Sequence, residues 1–214
     1  MTVYNDTLSK YITDLFAKQD DAQRRVLEDS PKKGLPPISI TPEEGKFLQV
    51  LVRSCGATKA VEIGTLGGYS GIWIARGLAP GGKLITLERE QKHADVARAH
   101  FAAAGVADRV EIRVGDARVS LKSLTAESPF DFVFIDAEKS GYPFYFDWAL
   151  ANVRVGGVIA AHNAFRHGSV AGVGKPTEDT EPMRAFNQRV ADEPRVISTI
   201  YPAGDGTVVA VKVS

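Results

Sequence analysis

Five short apolar runs, each ending on a polar residue and followed by a stretch with helical spacing, leave this chain few ways to fold. They are AVEIG (60–64), KLITLE (83–88), VEIRVGD (110–116), FDFVFID (130–136) and GGVIAAHN (156–163). Runs rich in Val, Ile and Phe read as strands buried on both faces, which is how a helix-covered parallel sheet looks in sequence. Helical stretches fall near 69–79, 91–104, 118–125, 141–152 and 180–192. This alternation predicts an α/β, doubly wound, mostly parallel sheet with helices on both faces. Ligands of such sheets bind in the crevice outside the carboxyl ends of the strands. Glu88, Asp116, Asp136, His162 and Asn163 are therefore expected to meet along one rim.

The two ends of the chain break the alternation. Residues 2–29 have helical spacing, with Tyr4, Leu8, Tyr11, Ile12, Leu15 and Phe16 on one face. Four prolines in SPKKGLPPISITPEEG (30–45) predict irregular chain over most of that segment. Thr41 with Glu44 is a capping-box pattern and Pro42 suits a first helical position, so a helix is expected over about 42–55. RVISTIYPA (195–203) and GTVVAVKVS (206–214) are strand-like and separated only by Gly204-Asp205, which predicts an antiparallel hairpin. The 214 residues suit one domain, a helical and irregular segment over 1–40 followed by a core over 41–214.

Charge and composition exclude several partners. The 26 basic and 26 acidic residues cancel, which gives no electrostatic case for nucleic acid or an anionic membrane. No run approaches the roughly 20 apolar residues of a membrane span, and the N-terminal residues do not read as a signal peptide. Lone Cys55 lies in an apolar-patterned segment and reads as an inert buried thiol. The expectation is a soluble, cytoplasmic protein.

VEIGTLGGYSG (61–71) reads as a strand, a glycine-rich turn and the start of a helix, so backbone N–H groups can approach a ligand closely. Its G-x-x-G-G spacing is neither that of a dinucleotide fold nor that of a lysine-bearing phosphate loop. Glu62 would repel phosphate but suits an ammonium or sulfonium group. Glu88 can accept hydrogen bonds from both hydroxyls of a ribose, in NAD as well as in other nucleosides. Asp116-Ala117 suits the edge of an adenine, or Asp116 simply caps a helix.

Taken together, TPEEGKFLQVLV (41–52), VEIGTLGGYSG (61–71), ITLERE (85–90), VGDA (114–117), FDFVFIDAEKSGYPFYF (130–146) and GGVIAAHNAF (156–165) resemble the class I S-adenosylmethionine-dependent methyltransferases. More narrowly, the chain resembles the cation-dependent O-methyltransferases, the group of the caffeoyl-CoA and catechol O-methyltransferases. The resemblance implies a Rossmann-like sheet of seven strands with the last antiparallel. It places Glu62, Gly64 and Ser70 at the methionine end of the donor, Glu88 at its ribose, and Asp116 and Ala117 at its adenine. Thr41 matches a position near the donor. Asp136 matches the first metal ligand and also adjoins the donor, and Lys139 matches a general base. Family members form dimers, so the apolar positions of residues 4–16 are expected to cover a partner in a homodimer, or this chain's own sheet.

One departure stands out. Where the family has Asp-Asn after the fifth strand, this chain has His162-Asn163. Imidazole in place of a carboxylate shifts preference from Mg²⁺ toward Mn²⁺, Fe²⁺, Co²⁺ or Zn²⁺. The expected ligands of a divalent cation are Asp136, His162 and Asn163. Two alternatives stay open, His162 as a base in a metal-free site and His162 as a structural residue. His167, in the long stretch 165–179, is a further ligand candidate or a solvated loop residue, whereas His93 and His100 are expected away from the rim. Glu138 is assigned to metal, donor or helix start, and most rings of Tyr142, Phe144, Tyr145, Phe146 and Trp148 are expected to pack the core.

The expected function is S-adenosylmethionine-dependent methylation of a hydroxyl on a small catechol-like or phenolic substrate, with Lys139 taking the proton and a divalent cation assisting. The rivals are a metal-independent methyltransferase with His162 as base, a non-catalytic S-adenosylmethionine-binding protein and an NAD-dependent dehydrogenase.

Overall fold

All five apolar runs are strands, and the two C-terminal runs add two more. They are β1 Lys59–Ile63, β2 Lys83–Glu88, β3 Val110–Val114, β4 Phe130–Ile135, β5 Val153–His162, β6 Val196–Tyr201 and β7 Thr207–Lys212. The computed structural model describes residues 4–214, so the first two positions of the expected 2–29 helical stretch lie outside the described residues. The strands form one seven-stranded sheet in the order β3-β2-β1-β4-β5-β7-β6. Strands β1 to β5 pair in parallel, and β7 inserts between β5 and β6, antiparallel to both. The expected hairpin is present, but only its second strand runs against the rest. β5 starts three residues earlier than its apolar run, with a register shift between Phe130↔Val153 and Phe132↔Val158 that takes up Gly156 and Gly157.

The helices are α1 Asp6–Phe16, α2 Asp21–Lys32, α3 Pro42–Ser54, α4 Tyr69–Gly77, α5 Gln91–Ala103, α6 Ala117–Leu124, α7 Tyr142–Asn152 and α8 Thr180–Ala191. The helical spacing over 2–29 is divided, because Asp20 forms a capping box with Gln23 and starts a new helix there. α2 then continues through Pro31 to Lys32, one turn into the proline-rich segment, before the chain becomes irregular. α1 buries none of its residues and is tied to α3 by Tyr4 Oη and Ser9 Oγ, which both donate to Glu43 Oε1. Thr41 caps α3 as expected, its Oγ1 accepting from Glu44 N while Glu44 Oε2 accepts from Thr41 N.

Successive strand residues face opposite sides, and both sides are apolar. Val61, Ile63, Ile85, Leu87, Val133, Ile135, Ile159 and Ala161 share one core with residues of α6, α7 and α8. Ala60, Leu84, Phe132, Phe134, Val158 and Ala160 share the other with α3, α4 and α5. Truncating one of these buried phenylalanines to alanine would cost about 3–5 kcal/mol. The same parity puts Glu62 and Thr86 inside the α4–α5 side, where both are fully buried. β1 lies between β2 and β4, so the winding reverses at the β1–β4 seam, the switch point where such sheets open a crevice.

Candidate active site

A cavity of about 1340 Å³ opens along the carboxyl rim of the sheet, centred on that seam. It exceeds the roughly 300–1,000 Å³ of a single small-ligand pocket, so two small molecules can sit side by side. Thr41, Gly64, Ser70, Glu88, Asp116, Ala117, Asp136, Lys139, His162 and Asn163 all line it. Two ends of neighbouring strands close its floor, where a Cβ on Gly64 would come within 2.1 Å of the Asp136 carbonyl oxygen. With φ at +102°, only glycine fits there.

On the β1–β3 side, backbone amides hold the carboxylates. Glu88 Oε2 accepts from Leu66 N at 2.7 Å and Thr65 N at 3.2 Å, and Oε1 accepts from Glu90 N at 2.9 Å. Asp116 caps α6, Oδ1 accepting from Arg118 N at 2.7 Å and Val119 N at 3.4 Å, so its capping reading holds while it also lines the cavity. Glu62 is a correction. It was expected at the donor, but it lies beneath the glycine turn and does not line the cavity. Its Oε1 accepts from Ser70 Oγ at 2.6 Å and its Oε2 from Thr86 Oγ1 at 2.7 Å. Burial pushes its pKa up to about 7, with the hydrogen bonds from Ser70 and Thr86 opposing. Only through Ser70 does it reach the cavity wall. His93 is a second correction, because the first turn of α5 brings it onto the wall with Nδ1 3.3 Å from Glu88 Oε1. His100 stays off the wall and holds the turn, Nδ1 lying 2.8 Å from Gly67 O.

On the β4–β5 side, side chains hold one another. His162 Nε2 lies 2.8 Å from Glu44 Oε1 and Nδ1 3.4 Å from Asp136 Oδ2. Lys139 Nζ sits 3.5 Å from Asp136 Oδ1 and donates to Ala137 O at 3.0 Å and Tyr142 Oη at 2.7 Å. Tyr142 Oη in turn donates to His162 O at 3.1 Å, joining the ends of β4 and β5. Burial disfavours the His162 cation, but Asp136 and Glu44 outweigh it and push the pKa up to about 10. Burial likewise opposes ionisation of Asp136, yet His162 and Lys139 hold its pKa below the ordinary value. Lys139 is lowered by burial, with Asp136 opposing and Arg166 adding to the fall.

Several candidates settle into other roles. Glu138 accepts from Tyr145 Oη, and Tyr145 is the ring of its aromatic stretch that lines the cavity; Tyr142, Phe146 and Trp148 are buried in the core. His167 is exposed on the wall, and its backbone N–H donates to Asp205. Cys55 is half-buried at the end of α3, with burial raising its pKa. Among the wall residues that escaped the sequence reading as site groups, two bear on this side of the cavity. They are Glu44, legible only as a helix cap, and Asp205, which sits in the β6–β7 turn.

Among the described residues, no group of three or more His, Cys, Asp or Glu is gathered to hold a metal ion. Asp136, His162 and Asn163 contribute two such residues and an amide. His162 Nδ1 is buried without a hydrogen-bond partner, and its 3.4 Å from Asp136 Oδ2 is long for a hydrogen bond. Two donors each about 2.1 Å from one ion stand about 3.0–3.4 Å apart at right-angled to tetrahedral geometry. The Asp136–His162 pair therefore has the spacing of two donors to one divalent cation.

The O-methyltransferase family matches residues 16–213. The chain is 41% identical over 197 residues to the catechol O-methyltransferase of Niastella koreensis, covering 91% of this chain and 89% of that protein. It is 44% identical over 160 residues to the catechol O-methyltransferase of Mycobacterium tuberculosis, covering 75% and 72%. The crystal structure of an O-methyltransferase from Bacillus cereus in complex with SAH superposes with a TM-score of 0.88 at 42% identity, covering 96% and 97%. With the seven-stranded sheet and its rim cavity, these matches establish that the chain belongs to the O-methyltransferase family.

Proposed function

We propose that the protein transfers the methyl group of S-adenosylmethionine to a hydroxyl of a small catechol-like aromatic, with a divalent cation at the acceptor. One observation carries this reading. The cavity has a half whose carboxylates are held by backbone amides and a half built of Asp136, Lys139 and His162, side by side across the β1–β4 seam. The donor belongs to the first half, with its ribose at Glu88, its adenine at Asp116 and Ala117, and its methionine end against Gly64 and Ser70. Thr41 lies at the junction.

Methyl transfer displaces a sulfonium sulfur in line with an attacking oxygen, so the two reactants must be held at near-attack distance and the oxygen must lose its proton. A free phenol has a pKa near 10 and is mostly neutral at pH 7. Lys139 is placed to take that proton. In its neutral form its two N–H bonds go to Ala137 O and Tyr142 Oη, which leaves the amine lone pair free. Burial favours that neutral form. Asp136, His162 and Asn163 would hold the cation, which when bound lowers the pKa of a chelated hydroxyl. His162 is ill-suited to be the base itself, because its Nε2–H donates to Glu44 and Asp136 faces its Nδ1.

The same reading makes the protein a homodimer through α1, which leaves Tyr11 and Phe16 61% and 66% exposed. The deciding experiment incubates chelator-treated protein with S-adenosylmethionine and catechol, follows methylated product by mass spectrometry, and adds back cations. Product that depends on the cation supports the proposal. Product indifferent to chelation favours metal-free transfer, and donor binding without product across a panel of phenols favours a non-catalytic binding protein.

A further inference from the structure

Two carboxylates, Glu44 buried and Asp205 mostly so, flank the His162-Asn163 pair, and each is bonded to one of them. Glu44, on the first turn of α3, is 3% exposed at its side chain and uses both oxygens. Oε2 accepts from Thr41 N and Thr41 Oγ1, each at 2.8 Å, and Oε1 faces His162 Nε2 at 2.8 Å. A carboxylate only accepts, so Nε2 keeps a proton toward Glu44 whether the ring is neutral or charged, and Nδ1 is the nitrogen left for a cation, which would displace any proton held there toward Asp136. Asp205, in the β6–β7 turn, does the same for the amide. Its Oδ2 lies 3.0 Å from Asn163 Nδ2, which fixes which end of the amide is nitrogen and leaves Asn163 Oδ1 as the uncommitted donor atom.

The turn that carries Asp205 packs against the Glu44 carboxyl group. A Cβ on Gly204, the residue before Asp205, would come within 2.3 Å of the Glu44 carboxyl group, and Gly204 sits at φ +56°. The β6–β7 turn can therefore lie against Glu44 only because glycine is there. Asn163 itself has φ +60°, a left-handed conformation that Asn tolerates better than most residues.

We propose that Glu44 and Asp205 are positioning residues that fix His162 as an Nδ1 donor and Asn163 as an Oδ1 donor, giving this chain a cation site with one nitrogen ligand that prefers Co²⁺, Mn²⁺ or Zn²⁺ to Mg²⁺. The inference rests on the proposed cation-assisted reading. A histidine ligand whose other nitrogen is held by a carboxylate is fixed in tautomer and direction, and loss of such a partner typically weakens metal binding about 10- to 100-fold. Imidazole suits the later divalent metals, whereas Mg²⁺ favours oxygen.

The test uses chelator-treated full-length protein, titrated with Co²⁺ and separately with Mg²⁺ by calorimetry, with the visible absorption of bound Co²⁺ recorded alongside. The wild-type protein is expected to bind Co²⁺ about tenfold or more tighter than Mg²⁺. Glu44→Gln and Asp205→Asn are each expected to lose about 10- to 100-fold in Co²⁺ affinity. Glu44→Gln should also shift the Co²⁺ absorption and erase the preference over Mg²⁺, whereas a merely structural role would weaken both metals alike. SAH binding reports whether each variant is folded, and Asp205→Asn decides if Glu44→Gln is not. Equal affinities for the two metals, no Co²⁺ binding, or folded variants with unchanged Co²⁺ affinity would overturn the proposal. Methyl transfer to catechol is measured separately. Selective Co²⁺ binding without transfer removes the functional reading alone, whereas transfer under chelation with no Co²⁺ binding removes this inference and the cation from that reading and leaves methyl transfer standing.

Discussion

The two halves of the cavity are built by different means. On the β1–β3 side the carboxylates of Glu88 and Asp116 are gripped by main-chain N–H groups a few residues away or across one strand. On the β4–β5 side Asp136, Lys139, His162 and Asn163 are held by side chains, Glu44 and Asp205 among them, brought from distant parts of the chain. A main-chain grip survives substitution of the neighbours that supply it, because every residue type but proline keeps its N–H. A side-chain grip does not, and one exchange at one partner re-aims the group. On the proposed reading, the first half suits a donor that never varies, and the second an acceptor site that can be retuned.

Removing Lys139 should break the symmetry between the halves most sharply. Lys139→Met keeps the length of the side chain and removes the amine that touches Asp136 and Tyr142. The expected result is a fall in kcat of about 10²- to 10⁴-fold, with SAH affinity unchanged by calorimetry. A parallel loss of SAH binding would show that the two halves are coupled and not independent.

Glu62 sharpens the comparison from the other side, as a pH dependence of stability. Its folded pKa of about 7 lies above the ordinary carboxyl value of 4.5. A group raised in this way contributes its full stability below about pH 4.5 and loses it as pH rises through 7. The shift corresponds to about 3 kcal/mol for this fully buried carboxyl. Glu62→Gln cannot ionise, and the Ser70, Thr86 and Thr65 hydroxyls that surround it can reorient. The variant should be more stable than wild type at pH 8 and should lose that advantage toward pH 5, read as the midpoint of urea unfolding at each pH. A difference that does not change with pH would mean that Glu62 is ionised inside the fold.

The same division decides what was legible in the sequence. Strand ends are local patterns, so the rim residues and the hairpin could be read from runs of Val, Ile and Phe. Glu62 lies short of the rim, which begins only after Ile63. Gly64, two residues on and of the same parity, lines the cavity, whereas Glu62 is still inside β1 and buried against α4. His93 was missed because helix α5 begins at the rim, so its first turn is as near the ligand as the strand before it. Glu44 and Asp205 could not be found by spacing. Glu44 meets His162 across 118 positions of chain, and its other oxygen satisfies the capping box that explained it locally. Asp205 looked like the turn residue it also is. Nothing in a one-dimensional pattern says that a cap and a turn will close on the same pair of side chains.

The smallest effect falls at Asp116, where a cap and a ligand contact coincide. Asp116→Ala deletes the acceptor for Arg118 N and Val119 N at the start of α6. Loss of such a cap costs about 1 kcal/mol, a lower unfolding midpoint with little change in m-value. If the carboxylate also holds the adenine, SAH affinity should fall as well, by about fivefold to tenfold for one exposed hydrogen bond. Asp116→Asn separates the two, because the amide oxygen keeps the cap while one acceptor becomes a donor. Stability near wild type with weakened SAH binding would place the adenine edge at Asp116. Unchanged affinity in both variants would leave it a helix cap on the cavity wall and move adenine recognition to the neighbouring backbone at Ala117, which would extend the main-chain grip to the whole donor half.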